Sequence, residues 1–409
     1  MALRIFWQNR IYVAINIAGL GFALACCILS YLNYNYRAAF DTNHTNTGDI
    51  YRVNALRKID GETQRWAITP APLGSSMIHD IAGIDRMARL YSQQVTVKKD
   101  ENIISEELYF TDRNLFNFFN LPLESGNYDG FENRNNIVIS KALAFKYFGK
   151  EPATGKQLDV LKNGKTEVFT VIGVLDKIPG NSSFHFDIIT SFNNAFLNTD
   201  KDLTDWHHAA LISTFVEIKN KQAITALIRM SDRYVTVQNS QRADWKIEGF
   251  YFQPFREIAG SSDIDFSSYI HGSPLNSNPR GVTVLVPAIM SLFILIIACF
   301  NFTNISIAFA GRRLKEIGMR KVMGGRKLQL IIQFLAENVI ICLLASLLAV
   351  FLVICMLHLF NNKTGMELRF NVAENPVLLI FLFLLPVSAA LVAGLYPAFY
   401  IAHLNRSAF

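Results

Sequence analysis

The chain has 409 residues, of which 51% are hydrophobic and only 18% charged, and its mean hydropathy is +0.23. A soluble protein usually carries about 25% charge, so this composition excludes intrinsic disorder, a collagen-like repeat and a small disulfide scaffold, and it leaves long apolar stretches to be found. The formal net charge is +6, a bulk figure that taken alone would suit nucleic acid or an anionic membrane surface.

The first apolar stretch covers residues 11–32, behind Arg4 and Arg10. It exceeds the roughly 7–15 apolar residues of a signal-peptide core, and no small-x-small cleavage site follows before Tyr34 and Tyr36. It therefore reads as a retained anchor. Within it Gly19/Ala23 and Gly21/Ala25 set small residues four apart, the spacing of close helix–helix contacts.

Residues 37–280 have the character of a folded α+β domain, with strands and helices intermixed and no regular βαβ period. Alternation predicts strands at 51–57 and 89–98. Thr69 as N-cap with Pro70 at the first helical position predicts a helix running toward His79. Residues 137–139 read as a short buried strand, after which Ser140 caps a helix over 141–148 that Gly149 ends. Asn163-Gly164, between apolar runs at 156–161 and 166–175, predicts a hairpin. A helix is predicted at 222–235 and a strand around 250–252.

The chemistry-bearing patterns in this domain fail on spacing. Gly149, Gly155, Lys156 and Gln157 imitate a phosphate loop, with five residues between the glycines where four are needed. Gln157 stands where a Ser or Thr would hold Mg, and a helix rather than a strand precedes the loop. It reads as a turn. His185 with Asp187, and the His207-His208 pair, lack a second ligand set at metal spacing. No catalytic residue, cofactor or metal is expected in this chain.

The second stretch, about 29 residues from 282 to 310, makes roughly 43 Å of helix against about 30 Å of hydrocarbon. It either tilts or projects as a stalk. Asn301 and Asn304 lie three apart in it, placed for internal packing or for dimerisation. Next, residues 311–327 hold Arg312, Arg313, Lys315, Arg320, Lys321, Arg326 and Lys327 against Glu316 alone. Gln329, Gln333 and Glu337 then recur every fourth position, the polar stripe of an interfacial amphipathic helix. Glu337 reads either as a headgroup-level residue or as an intramembrane carboxylate. The third stretch is 338–360. The fourth, 376–401, carries Ala390, Gly394 and Ala398 at small-residue spacing.

By the positive-inside rule both termini and the 311–327 loop are cytoplasmic. That leaves residues 37–280 and a short segment near 361–375 outside. The large outer segment holds 27 basic and 29 acidic residues, and the remainder 12 basic and 4 acidic. The positive charge thus belongs to the membrane part, and no basic stripe favours nucleic acid. All five cysteines (Cys26, Cys27, Cys299, Cys342, Cys355) fall within the apolar stretches, where buried apolar thiols are ordinary.

Several segments are similar to those of a known family. After the first span come Phe40, Asp41 and His44, then Ile50, Tyr51, Arg52 and Val53. The outer domain has Phe110, Thr111, Asp112, Gly126, Asn127, Ile137 to Ser140, Ala144, Tyr147, Gly149, Val171, Gly173, Val174, Ile178 and Pro179. The cytoplasmic loop reads Arg313, Leu314, Lys315, Glu316, Ile317, Gly318, Met319, Arg320, Lys321, Val322, Met323, Gly324, with Gln333, Phe334 and Glu337 beyond, and the last span ends in Gly394, Leu395, Tyr396, Pro397, Ala398 and Phe399. With one span, a large outer domain and three further spans, the chain resembles the MacB/FtsX-type permeases of ABC transporters over nearly its whole length.

The resemblance implies three parts: residues 1–36 with the first transmembrane helix, a periplasmic core domain at 37–280, and an FtsX-like permease domain at 281–409 with a coupling loop at 311–337. It implies that Arg313, Lys315 to Val322, and Gly324 dock a partner ATPase, which binds ATP and Mg. ATP-driven closure would then move the stalk helices and reshape the periplasmic domain, which is called mechanotransmission. A homodimer or paired permease half, a membrane-fusion protein, an outer-membrane channel and membrane lipid are the implied partners, and the bacterial inner membrane the implied location. The family's MacB protein carries a fused ATPase, and none precedes Met1; many permeases of this layout continue into a second copy, whereas this chain stops soon after the fourth span. The same scaffold also serves as a membrane-anchored regulator that activates an extracytoplasmic enzyme such as a cell-wall hydrolase. That alternative function would call for a docking groove on the outer domain.

Overall fold

The computed structural model describes residues 10–44, 47–99, 102–162, 164–196, 205–207, 210–220, 224–260, 275, 280–312, 327–373 and 375–403. In chain order the elements are α1 (Arg10–Ala38), β1 (Ile50–Ile59), β2 (Glu62–Trp66), β3 (Thr69–Pro70), α2 (Pro72–Asp80), β4 (Arg86–Lys99), β5 (Asn102–Thr111), α3 (Asn114–Phe118), β6 (Leu123–Gly126), β7 (Asn136–Ser140), α4 (Lys141–Phe148), β8 (Gln157–Lys162), β9 (Lys165–Leu175), β10 (Ile188–Ser191), β11 (Leu211–Glu217), α5 (Ile224–Gln241), β12 (Gly249–Pro254), α6 (Phe255–Ile258), α7 (Arg280–Arg312), α8 (Lys327–Thr364) and α9 (Pro376–His403). The chain divides into two compact units, one comprising residues 1–38 with 280–409 and the other 39–279.

The 39–279 unit is built on one twelve-stranded mixed sheet, ordered β12-β1-β11-β4-β5-β10-β7-β9-β6, with β2 on β1, β3 on β11, and β8 on β4 and β9. Among the described residues only β5/β10 and β7/β9 pair in parallel, so antiparallel pairing dominates, in keeping with an α+β domain. One apolar cluster gathers Val95, Val97, Phe110, Ile137, Ile139 and Phe169. A second is rich in phenylalanine: Phe118, Phe119, Phe131, Phe184, Phe186, Phe215 and Phe255 are all buried in it. Phe184 and Phe255 stack with centroids 5.7 Å apart, the offset geometry that aromatic quadrupoles favour.

Local signals explain several boundaries. Ser140 Oγ accepts from the Leu143 N–H at 3.1 Å, and Gly149 ends α4 at φ 62°, a conformation that glycine adopts without Cβ strain. Residues 157–162 and 165–175 pair as a hairpin; Gly164 has φ 76°, while Asn163 lies outside the described residues. One expectation is corrected. Thr69 and Pro70 do not open a helix: they form β3 against Leu211 and Ile212, and α2 begins at Pro72 with no side-chain cap. The hydroxyl that would have capped it is instead shared with Thr214 Oγ1 at 2.9 Å. A buried hydroxyl takes the nearest partner, and here the sheet supplied one first.

In the other unit, α1, α7, α8 and α9 each contain a segment long and apolar enough to cross a membrane. The polar stripe of Gln329, Gln333 and Glu337 lies on the opening turns of the 38-residue α8, which lead into the third apolar stretch with no proline or glycine between, and Gln333 Nε2 donates to Glu337 Oε1 at 3.2 Å in support of those turns.

Candidate functional site

Three residues past the end of α1, Asp41 has φ 61°, uncommon for a residue other than glycine. Its carboxylate holds the turn by accepting from the Ser183 N–H and Oγ–H, each at 2.6 Å. Its own N–H donates to Asn181 O at 2.9 Å, and Asn181 Nδ2 donates to Ala39 O at 2.9 Å. His44 follows, 2% exposed, with Nε2 at 3.2 Å from Ser182 Oγ and edge contacts to Phe119, Phe184 and Phe255. Burial among these rings lowers its pKa to about 4. The segment that leaves α1 is thus fastened to the loop at residues 176–187. Asp41 and His44 were visible as family-like residues, but Ser182 and Ser183 carried no sequence signal.

The family-like Asp112 and other polar residues of this domain also make holding contacts. Asp112 takes Arg89 in a two-pronged pair at 2.9 and 2.7 Å, and the guanidinium lies 4.0 Å from the Phe192 ring centroid. Glu106, 8% exposed, accepts from Lys146 Nζ at 2.6 Å and Tyr147 OH at 3.0 Å. Burial, and then the charges of Glu106 and Glu107, push the Asp187 carboxyl pKa up. Gly126 has φ 83°, and a Cβ there would collide with the Ile172 carbonyl.

The phosphate-loop imitation is a turn: Gly155 N–H donates to Val171 O at 2.7 Å, and Lys156 pairs with Glu151. His207 Nδ1 lies 2.8 Å from Gln241 O, and His208 is outside the described residues. Among the described residues no cluster of His, Cys, Asp and Glu is placed to hold a metal.

The expected ATPase-docking residues Arg313, Lys315, Glu316, Ile317, Gly318, Met319, Arg320, Lys321, Val322 and Gly324 lie outside the described residues, between the end of α7 at Arg312 and the start of α8 at Lys327. Of the small residues expected at helix contacts, Gly21 faces α8: a Cβ there would sit 2.9 Å from Leu348 Cδ2 and 3.2 Å from Ala345 O. Gly394 faces Asn338 and Leu335 of the same helix. Ala25 and Ala390 are buried in the bundle core. Gly19 has nothing within 4 Å, and the Ala398 side chain is outside the description. Asn301 and Asn304 are both exposed in this chain, so neither packs inside the bundle.

Comparison with known proteins matches both parts. The model of the MacB-like periplasmic core domain matches residues 13–234, and that of the FtsX-like permease C-terminal domain matches residues 288–406. The macrolide export ATP-binding/permease protein MacB of Campylobacter jejuni (strain 81-176) is 24% identical over 296 residues, 71% of this chain and 42% of that protein. The protein of the same name from Bdellovibrio bacteriovorus is 30% identical over 124 residues, 30% of this chain and 18% of that one. The chain thus spans less than half the length of these curated relatives. Among solved structures, a permease-protein domain from Porphyromonas gingivalis covers 52% of this chain and 92% of its own at 18% identity and a TM-score of 0.43. The periplasmic region of MacB from Actinobacillus actinomycetemcomitans covers 53% and 91% at 13% identity and a TM-score of 0.36. With a core-domain match over more than half of its length and a permease match over most of the rest, this chain belongs to the MacB/FtsX-type family of ABC transporter permeases.

Proposed function

We propose that this chain is the permease subunit of an inner-membrane ABC transporter, with cytoplasmic termini and the 37–280 domain in the periplasm. It converts ATP hydrolysis on a partner ATPase into a change of shape in that domain, for export or extraction of a substrate from the periplasm or outer leaflet. The observation that carries this reading is the stretch of seven cations against one carboxylate in residues 311–327, from the end of α7 to the start of α8. Such a stretch favours the cytoplasmic side and offers an acidic protein surface a concentrated partner. ATP and Mg belong to the ATPase in this reading, and a membrane-fusion protein and an outer-membrane channel would continue the route outward.

A second copy, or a paired permease half, is expected against α7. Only 11% of its apolar window is buried, against 44, 28 and 33% for α1, α8 and α9. Asn301 and Asn304 stand exposed on it, and an amide in hydrocarbon is costly without a partner. An amide both donates and accepts, so two copies of this face can satisfy one another about a twofold axis.

The coupling claim is tested by the paired charge reversal Arg320→Glu and Lys321→Glu. The variant is expected to recover several-fold less ATPase on purification while the outer domain stays folded; undiminished recovery would count against docking at this loop.

A further inference from the structure

A proline inside an α-helix has no N–H for the carbonyl four residues earlier, and in hydrocarbon that carbonyl must find another donor. Pro287 lies inside α7, and the carbonyl it vacates is that of Thr283. Asn33 of α1 donates its Nδ2–H to Thr283 O at 3.0 Å. The amide cannot be turned round, because Arg37, which only donates, gives its Nε–H to Asn33 Oδ1 at 3.0 Å. Asn33 is itself 5% exposed. The arrangement recurs toward the other end of α7. Pro397 lies inside α9, the carbonyl it vacates is that of Ala393, and Thr303 of α7 donates its Oγ–H there at 2.8 Å. The next residue, Gly394, leaves room for Asn338 of α8.

We propose that Asn33 and Thr303 are positioning residues: they strap α7 to α1 and to α9 at carbonyls vacated by Pro287 and Pro397, so that the three helices travel together when the permease changes state. Each strap uses an acceptor whose helical N–H a proline has removed, so letting go gives up a bond that the helix's own donor four residues on cannot replace. Sliding by one residue along the helix finds only carbonyls already bonded. The straps therefore fix register as well as contact. This deepens the coupling reading proposed above and rests on it.

The test is a pair of double-mutant cycles on the full chain in lipid nanodiscs, read as the thermal unfolding midpoint. Asn33→Leu is expected to lower the midpoint by about 2 °C or more. In the Pro287→Ala background, where residue 287 regains its N–H, the same change should cost clearly less, what remains being the Arg37 bond to Asn33 Oδ1. Thr303→Val should behave likewise with and without Pro397→Ala. Equal costs in both backgrounds would overturn the straps. Where Asn33→Leu fails to fold, Pro287→Ala should rescue it, and failure to rescue is equally contrary.

The positioning role has a separate readout in the complex with the co-purified ATPase. Asn33→Leu and Thr303→Val should leave ATP hydrolysis intact and reduce the ATP-dependent change in hydrogen exchange of the outer domain several-fold. An unchanged response with intact cycles would leave the straps as packing only and overturn the positioning claim. A wild-type complex that shows no ATP-dependent change would instead defeat the coupling reading, while the cycles would still report on the straps.

Discussion

His44 shows how a single buried group sets a condition on the outer domain. The imidazole takes up its proton near pH 6.5 in the unfolded chain and near pH 4 in the folded domain. The stability contributed by the neutral ring is therefore complete above about pH 6.5 and is lost progressively as pH falls toward 4. Between pH 7 and 5 the domain is expected to lose about 2 kcal/mol through this residue. His44→Gln, which does not titrate, should flatten that part of the pH profile in chemical denaturation; an unaltered slope would show that another group is responsible. The same residue marks a limit of sequence reading. Asp41 and His44 could be picked out as family-like, but their partners Ser182 and Ser183 lie about 140 residues away in a loop with no pattern of its own.

At the scale of elements, legibility followed how local the cause was. The Ser140 cap, the Gly149 stop and the four apolar helices all rest on contacts within a turn or a run, and all were readable. β10 was not: it completes the sheet by pairing with β5 in parallel and with β7 in antiparallel fashion, and nothing in four residues announces such distant partners.

Helix contacts divide in the same way, since spacing nominated Gly19 and Gly21 equally and only packing separates them. Gly21→Leu should destabilise the membrane unit by roughly 1–3 kcal/mol through overpacking against Leu348, while Gly19→Leu should be near neutral; equal effects in thermal unfolding of the two variants would contradict this packing. On α7, the double variant Asn301→Leu and Asn304→Leu is expected to shift the chain from dimer toward monomer in nanodiscs, measured by mass photometry. An unchanged oligomeric state would contradict a second copy seated on this face.

Over the whole molecule, the net charge of +6 has a location and a meaning. The 37–280 segment is slightly acidic, and the excess of basic residues gathers between α7 and α8, the stretch proposed above to meet an ATPase. The outer domain spends its own charged and polar groups on internal fastenings: Asp41 on Ser183, Asp112 on Arg89, Glu106 on Lys146 and Tyr147. Those contacts suit a body that is moved as a piece.

Hydrogen–deuterium exchange on the full chain in lipid, purified with its ATPase and compared with and without ATP, addresses this most directly. The expected result is an ATP-dependent change in protection within residues 39–260 that disappears in the Arg320→Glu, Lys321→Glu variant. Identical exchange in the outer domain with and without ATP, in a complex that hydrolyses it, would contradict the coupling of ATP hydrolysis to the periplasmic domain.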